Sequence, residues 1–459
     1  MDPEQLMTFR KQKTFLTPNN APDQGVYLST SSPQINFVIA STPGAYMDPR
    51  TLRLQGKYRI VSDTTNTLPQ NITDGSAASA TSGVGSNPFC GIAGIIDQIN
   101  ISTGNSRTIE SIRSYNSYLA TTRPFFTSAS DVNNGGNLYD ATYQIKSTTN
   151  ALTTNQETDF AIQLRTGFFH NNIIPISEKG TSGCSIQISL CQNNNQIQPF
   201  FVFDPSAPEG SPILSTTEFR FEVFDLALTF DTLIASSSLY SKIPSTGVLQ
   251  FNTVSSIVST LLSSDETKNF NFGTTNTLAV THSMIPSIHL NNRKVDSLRL
   301  CQPENGATVN GKGTIAPVTA VTYMKSGRMF PYDYELSSPD QALNRRPSAM
   351  IIEPAQNSVS LYNNEDSMLS PCTFLGLTSG RLNLVKNIAQ PYPCISDPNS
   401  LYILGVPMDS ARTGVSFARD NYSVRIKSGL DQRSPMTLFT YCLARNLVQY
   451  SPAGIQTLE

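Results

Sequence analysis

Tryptophan is missing from this 459-residue chain, histidine occurs only three times, and charged side chains make up just 14% of it. Each shortage excludes something. Trp offers the broadest stacking face for a sugar ring, so its absence weighs against a carbohydrate platform, although 17 Tyr leave room for a smaller one. With 32 Lys and Arg against 34 Asp and Glu the net charge is −2. A protein that coats nucleic acid needs a basic footprint to displace counterions from phosphates. Sequence-specific nucleic-acid binding is therefore not expected. The one basic cluster, Arg10, Lys11 and Lys13, reads as a solvated terminus or as an arm touching a genome or a neighbouring subunit. No apolar run approaches the roughly 18 residues of a membrane helix, so no transmembrane segment is expected. No basic-then-apolar signal segment is evident either.

Cysteine is sparse and badly placed for chemistry. Cys90, Cys184, Cys191, Cys301, Cys372, Cys394 and Cys442 are odd in number and widely spaced, with no Cys-x-x-Cys pair. That pattern argues against zinc and against a disulfide scaffold. Reduced thiols of an intracellular assembly are the economical reading, with Cys184, Cys191 and Cys442 at least partly buried. The sequons at Asn71, Asn100 and Asn421 then read as chance matches in an Asn- and Ser-rich chain.

Catalytic patterns fail together. His282 shares a strand face with Leu278, Val280 and Met284 and reads as a satisfied core histidine. His289 falls on the face opposite Ile288 and Leu290, and His170 stands alone after Phe168 and Phe169. Asp333 and Glu335 alternate as a glycosidase pair could, but carboxylates two apart on an exposed strand are commonplace. Gly83-Val-Gly85 and Gly311-Lys-Gly313 are fragments of phosphate loops and read as plain loops. No Gly-x-Ser-x-Gly elbow occurs. No catalytic, cofactor-binding or metal-binding residue is assigned, and the chain is not expected to be an enzyme.

What the chain does have is period-two alternation, the mark of strands with one buried face. Ile35, Phe37 and Ile39; Leu52, Leu54, Tyr58 and Ile60; Ile99 and Ile101; Phe160, Ile162 and Leu164; and Ile186, Ile188 and Leu190 all show it. Leu298 with Leu300, Tyr422 to Ile426, and Phe439 to Leu443 continue it in the second half. The run Phe219, Phe221, Val223 slips phase to Leu226, Leu228, Phe230, which predicts a bulge near Phe224–Asp225. Twenty-nine prolines and many Gly and Asn turns complete an all-β reading.

Arg107–Leu119 breaks the pattern. Ile109, Ile112, Tyr115, Tyr118 and Leu119 recur at helical spacing, with Ser106 as N-cap, Glu110 in the first turn and Arg113 at i+3. The spacing predicts a short helix across a sheet edge. Val254, Ile257, Val258 and Leu261 suggest another. Thr64–Pro88 and Glu304–Gly313 read as long loops, and Ser236–Val248 as the seam between two halves of similar size.

Three stretches resemble a known family. Ile95–Ala120, with Glu-x-Ile-x-x-Tyr-Asn at Glu110, Ile112, Tyr115 and Asn116, is similar to a strand, turn and helix of double-jelly-roll major capsid proteins of eukaryotic DNA viruses. The flavour is that of polinton-like viruses and virophages. Ser326–Leu336 resembles a Gly-then-aromatic-Pro stretch of their second jelly roll, and Leu401–Ile455 their closing strands. Together these cover about a fifth of the chain.

The resemblance implies two consecutive eight-stranded jelly rolls with a few short helices and long loops. It places an N-terminal arm at 1–20, a first jelly roll at 21–242 and a second at 243–459. Glu110, Ile112, Tyr115 and Asn116 would be structural. It further implies pseudo-hexagonal, hexon-like homotrimers that tile an icosahedral virion shell, beside neighbouring capsomers and minor or penton proteins, assembled in the infected cell. The alternatives are a minor capsid or receptor-binding virion protein, or a carbohydrate-binding β-sandwich.

Overall fold

The computed structural model describes residues 9–62 except 29, 83–86, 91–119 except 105, 157–170, 173–177, 181–191, 200–203 and 219–262. It further describes 267–273, 276–277, 279–286, 318–331, 336–337, 402–408, 414–417, 420–428, 436–451 and 454–458. Leu298, Leu300, Glu304–Gly313, Asp333, Glu335, Asn71, His289, Cys90, Cys301, Cys372 and Cys394 lie outside the described residues, as do the side chains of His170 and His282.

In chain order, the first half carries β1 (Phe9–Leu16), β2 (Val26–Leu28), β3 (Gln34–Ile39), β4 (Ala45–Ser62), β5 (Gly83–Ser86) and β6 (Ile96–Thr103). It continues with β7 (Thr108–Arg113), β8 (Thr158–Ile162), β9 (Ile174–Pro175), β10 (Cys184–Leu190), β11 (Phe200–Phe203) and β12 (Phe219–Ala235). Helix α1 covers residues 115–119. Helix α2 (Ser237–Lys242), capped by the Ser236 hydroxyl, leads into the second half. There follow β13 (Gly247–Leu261), β14 (Thr267–Phe272), β15 (Asn276–Thr277), β16 (Ala279–Pro286), β17 (Val318–Lys325) and β18 (Arg328–Met329). The last six are β19 (Leu336–Ser337), β20 (Tyr402–Pro407), β21 (Val415–Ser416), β22 (Tyr422–Ser428), β23 (Met436–Ser451) and β24 (Gly454–Leu458).

Each half contains two sheets with four-strand paths. In the first, β1-β12-β4-β8 is matched by β3-β10-β6-β7; in the second, β13-β23-β16-β20 is matched by β14-β22-β17-β18. Among the described residues every pairing is antiparallel and joins strands of one half only. Two antiparallel sheets closing over one core are the jelly-roll solution to burying alternate side chains.

Rows of side chains show how the sequence sets this register. Ile35, Ile188, Ile99 and Ile112 pair in turn across β3, β10, β6 and β7, and all four are buried. Each contributes roughly 1.5–3 kcal/mol by leaving water. A one-residue slip would turn the whole row to solvent, so the register is strongly specified. The opposite face of this sheet bears Asn36, Gln187, Asn100 and Ser111 in register. Asn100 donates to Gln187 (3.3 Å) and accepts from Ser111 (2.5 Å) and Gln98 (2.8 Å). Ion pairs gather instead on the β1-β12-β4-β8 sheet, as Lys11–Asp231, Lys57–Glu157 and Arg59–Glu222.

The expected bulge is present. Asp225 adopts φ 51°, and Asp225 and Leu226 together oppose Gly56, because Phe224 pairs with Lys57 and Ala227 with Gln55. A Cβ on Gly56 would meet the Leu226 side chain at 2.7 Å and the Phe224 carbonyl at 3.0 Å. Glycine is required there for close approach.

Four expectations need correction. Arg107–Leu119 is not one helix: 108–113 form strand β7, and only 115–119 are helical. Ser106 is no cap but a turn residue at φ 62°, and Ser114 at φ 52° ends the strand. Ile101 pairs with Glu110 and Ser102 with Thr108, leaving Ile109 as an extra bulge residue. Bulge plus turn put Ile109, Ile112, Tyr115 and Tyr118 at the spacing of a helix. Likewise 254–261 lie in β13, fully paired with β23. Gly83–Gly85, read as loop, belongs to β5 and pairs with β11. Residues 9–16, expected within an arm, form β1 along the edge of β12.

Candidate functional site

The functional feature that geometry supports best is the seam where the two halves meet. Its first-half wall is β7, α1 and the segment 164–170; its second-half wall is β13 and β23. β23 explains itself in sequence terms. Residues 438–444, Leu-Phe-Thr-Tyr-Cys-Leu-Ala, are all buried, a continuous run of the kind a strand covered on both faces requires. Leu438 and Cys442 pack into the second-half core, whereas Phe439, Tyr441 and Leu443 join the first-half core. The pair Tyr118–Tyr441 (5.3 Å) and the pair Phe168–Phe251 (5.4 Å) cross the seam edge to face.

Glu110 sits at its centre. It occupies the inward row Phe37–Ile186–Ile101–Glu110, where the pattern otherwise calls for an apolar residue. Only 3% of it is exposed. Its Oε1 accepts from Gly167 N (3.0 Å) and from the Thr253 hydroxyl (3.1 Å), and its Oε2 accepts from Phe168 N (2.9 Å). Val254 N–H adds a fourth donor. Two donors come from the first half and two from β13, so one carboxyl binds both halves. Burial pushes its pKa up to about 6, against the downward pull of these four hydrogen bonds. The helix-dipole role expected for Glu110 does not apply, since it lies on a strand.

The other signature residues surround it. Ile112 and Tyr115 are fully buried, and Asn116 is 2% exposed. The Tyr115 hydroxyl accepts from Arg165 N (2.8 Å). Asn116 donates from Nδ2 to the Gly94 carbonyl (3.4 Å) and accepts at Oδ1 from Ser117 N (2.8 Å). The outer edge of β7 is covered by side chains of the second half: Asn446 donates to the Ile109 carbonyl (3.3 Å) and Ser256 to the Arg113 carbonyl (2.9 Å). An edge strand closed this way cannot recruit a stray strand.

Sequence reasoning missed Thr253 and Gly167. A Cβ on Gly167 would fall on the Asn252 carbonyl of β13, so the halves approach at backbone contact there. The available signal was a glycine three residues after the alternating run Phe160–Leu164 and directly before Phe168-Phe169. Cys184, Cys191 and Cys442 are buried thiols that form no disulfide, as expected, and burial pushes Cys184 and Cys442 up to about 12. Among the described residues no three His, Cys, Asp or Glu side chains gather as a metal site, and no helix is long and apolar enough to cross a membrane.

No family model and no curated protein matches the sequence. Solved structures do. The chain is similar to PBCV-1 VP54, as fitted into a reconstruction of the virophage Sputnik, at TM-score 0.57 and 9% identity, covering 99% of this chain and 98% of that one. It is similar to a Sputnik virophage chain at TM-score 0.53 and 11% identity, over 99% and 89%. The Faustovirus major capsid protein aligns at TM-score 0.55 and 9% identity, over 97% and 91%. The chain has the double-jelly-roll fold of these viral capsid proteins.

Proposed function

We propose that this chain is a major capsid subunit that forms pseudo-hexagonal homotrimers in the icosahedral shell of a DNA virus. The observation that carries the reading is a double jelly roll matched end to end, both halves included, with capsid chains of three viruses. Fold alone does not dictate function. Here the whole two-jelly-roll block, and not one common sandwich, is matched. Two jelly rolls side by side make a rectangular block, and three blocks around a threefold axis make a six-sided tile. We divide the chain between residues 242 and 243, in keeping with pairings that stay within 9–235 and 247–458.

Within that tile Glu110, Ile112, Tyr115 and Asn116 are structural residues of the seam. They hold the two jelly rolls at a fixed angle and carry no catalysis. The uncharged Asn36–Gln187–Asn100–Ser111 row suits lateral packing, because no charge is desolvated when a neighbour covers it. Native mass measurement tests the reading. A species at three times the 50.1 kDa chain mass is expected. A monomer at micromolar concentration under every salt condition contradicts it.

A further inference from the structure

We propose that the seam between the two jelly rolls is a proton-coupled joint, in which opening releases the proton of Glu110 and mild acid therefore holds the joint closed. This holds whether or not the protein builds a shell. Three observations carry it. Glu110 is buried, it takes donors from both halves, and among the described residues no cation pairs with it: its bonds are to two first-half amides, one second-half hydroxyl and one second-half amide. Separating β13 from the 164–170 segment must break the last two bonds and admit water to the carboxyl.

The surrounding charges do not compete for this role. β13 has no ionisable side chain along Gly247–Leu261. On β7 Arg113 is exposed, as is Arg107 just before it; on β23 Arg445 is exposed, and on the facing segment Arg165 is half-buried. The Glu110 carboxyl responds chiefly to burial and the four hydrogen bonds. The α1 wall offers Tyr115, whose hydroxyl serves Arg165 N, and Tyr118. Asp97 on β6 is the second acid near this wall. It too is raised by burial, and it adds to the field that raises Tyr441.

The direction follows from linkage. The closed joint holds Glu110 at about 6, and the hydrated, open joint returns it to its ordinary value of 4.5. The closed state thus binds the proton more tightly, and its advantage is complete below 4.5 and lost as pH rises through 6. A difference of one and a half units makes opening about thirtyfold rarer in acid than at neutral pH. On protonation the Thr253 hydroxyl can rotate from donor to acceptor and keep its bond to Glu110.

Hydrogen exchange by mass spectrometry on the full-length protein tests this. Protection of peptides spanning 164–170 and 248–256, corrected for intrinsic exchange, is followed from pH 7.5 to 4.5. The wild-type protein should gain tenfold or more in protection at these peptides. Thr253→Val, which removes a bond favouring the charged form, should move the midpoint upward. Glu110→Gln, if it folds, should show no pH response. Asp97→Asn should leave the response intact. Protection that is flat with pH, or that falls in acid, overturns the proposal, as does a Thr253→Val midpoint that moves down.

Discussion

Replacing Tyr115 with alanine tests the packing of the seam most severely. The ring is fully buried, lies 6.4 Å from Tyr118, and its hydroxyl accepts from Arg165 N at 2.8 Å. Truncating a buried aromatic ring to alanine costs about 3–5 kcal/mol, because the cavity collapses only in part. The orphaned Arg165 amide adds to this. Tyr115→Phe separates the two effects: it keeps the ring and removes only the hydroxyl, for about 1–3 kcal/mol. Thermal unfolding followed by tyrosine fluorescence should place Tyr115→Ala about 3–5 °C below wild type and Tyr115→Phe about 1–3 °C below. Equal melting temperatures for Tyr115→Ala and wild type would refute the claim that this ring is core. A Tyr115→Phe variant as damaged as Tyr115→Ala would refute the partition between ring and hydroxyl.

Gly167→Ala should destabilise by at least about 1–3 kcal/mol, since the new methyl meets backbone and not a movable side chain; a melting curve unchanged from wild type would show that the halves do not touch there. Gly56→Ala should cost about as much by pushing Leu226 and the Phe224 carbonyl. Because Leu226 is half of that clash, the double variant Gly56→Ala/Leu226→Ala should be less damaged than the sum of the single changes; strict additivity would contradict the bulge geometry. Peptide-resolved alkylation at pH 8 should leave Cys184 and Cys442 unmodified in the native protein and label both after denaturation. Fast native labelling of either would place it at the surface.

Strict alternation made most of the fold legible. Cys184–Leu190 alternates buried and half-buried without a break, and its sheet neighbours repeat the pattern in register. The bulge at Asp225 was visible because both phases of the Phe219–Phe230 run are strongly apolar. Where alternation and pairing part company, the reading failed. At β7 an extra residue and a left-handed serine counterfeit a helical repeat. At β13 Val254 faces the first-half core while Leu261 faces the second, so one strand serving two cores shows a spacing that neither would impose alone. The family-like residues Glu110, Ile112, Tyr115 and Asn116 do come together, yet the burial of Glu110 could not be read. A lone glutamate in a strand normally faces water, and its donors arrive from residues 57 and 143 positions away.

Electron microscopy of the purified protein tests the central claim most directly. A double-jelly-roll capsid subunit should yield class averages of a trimer with a six-sided outline and threefold symmetry. Isolated two-lobed particles, with no threefold view at any concentration or salt, would contradict the account.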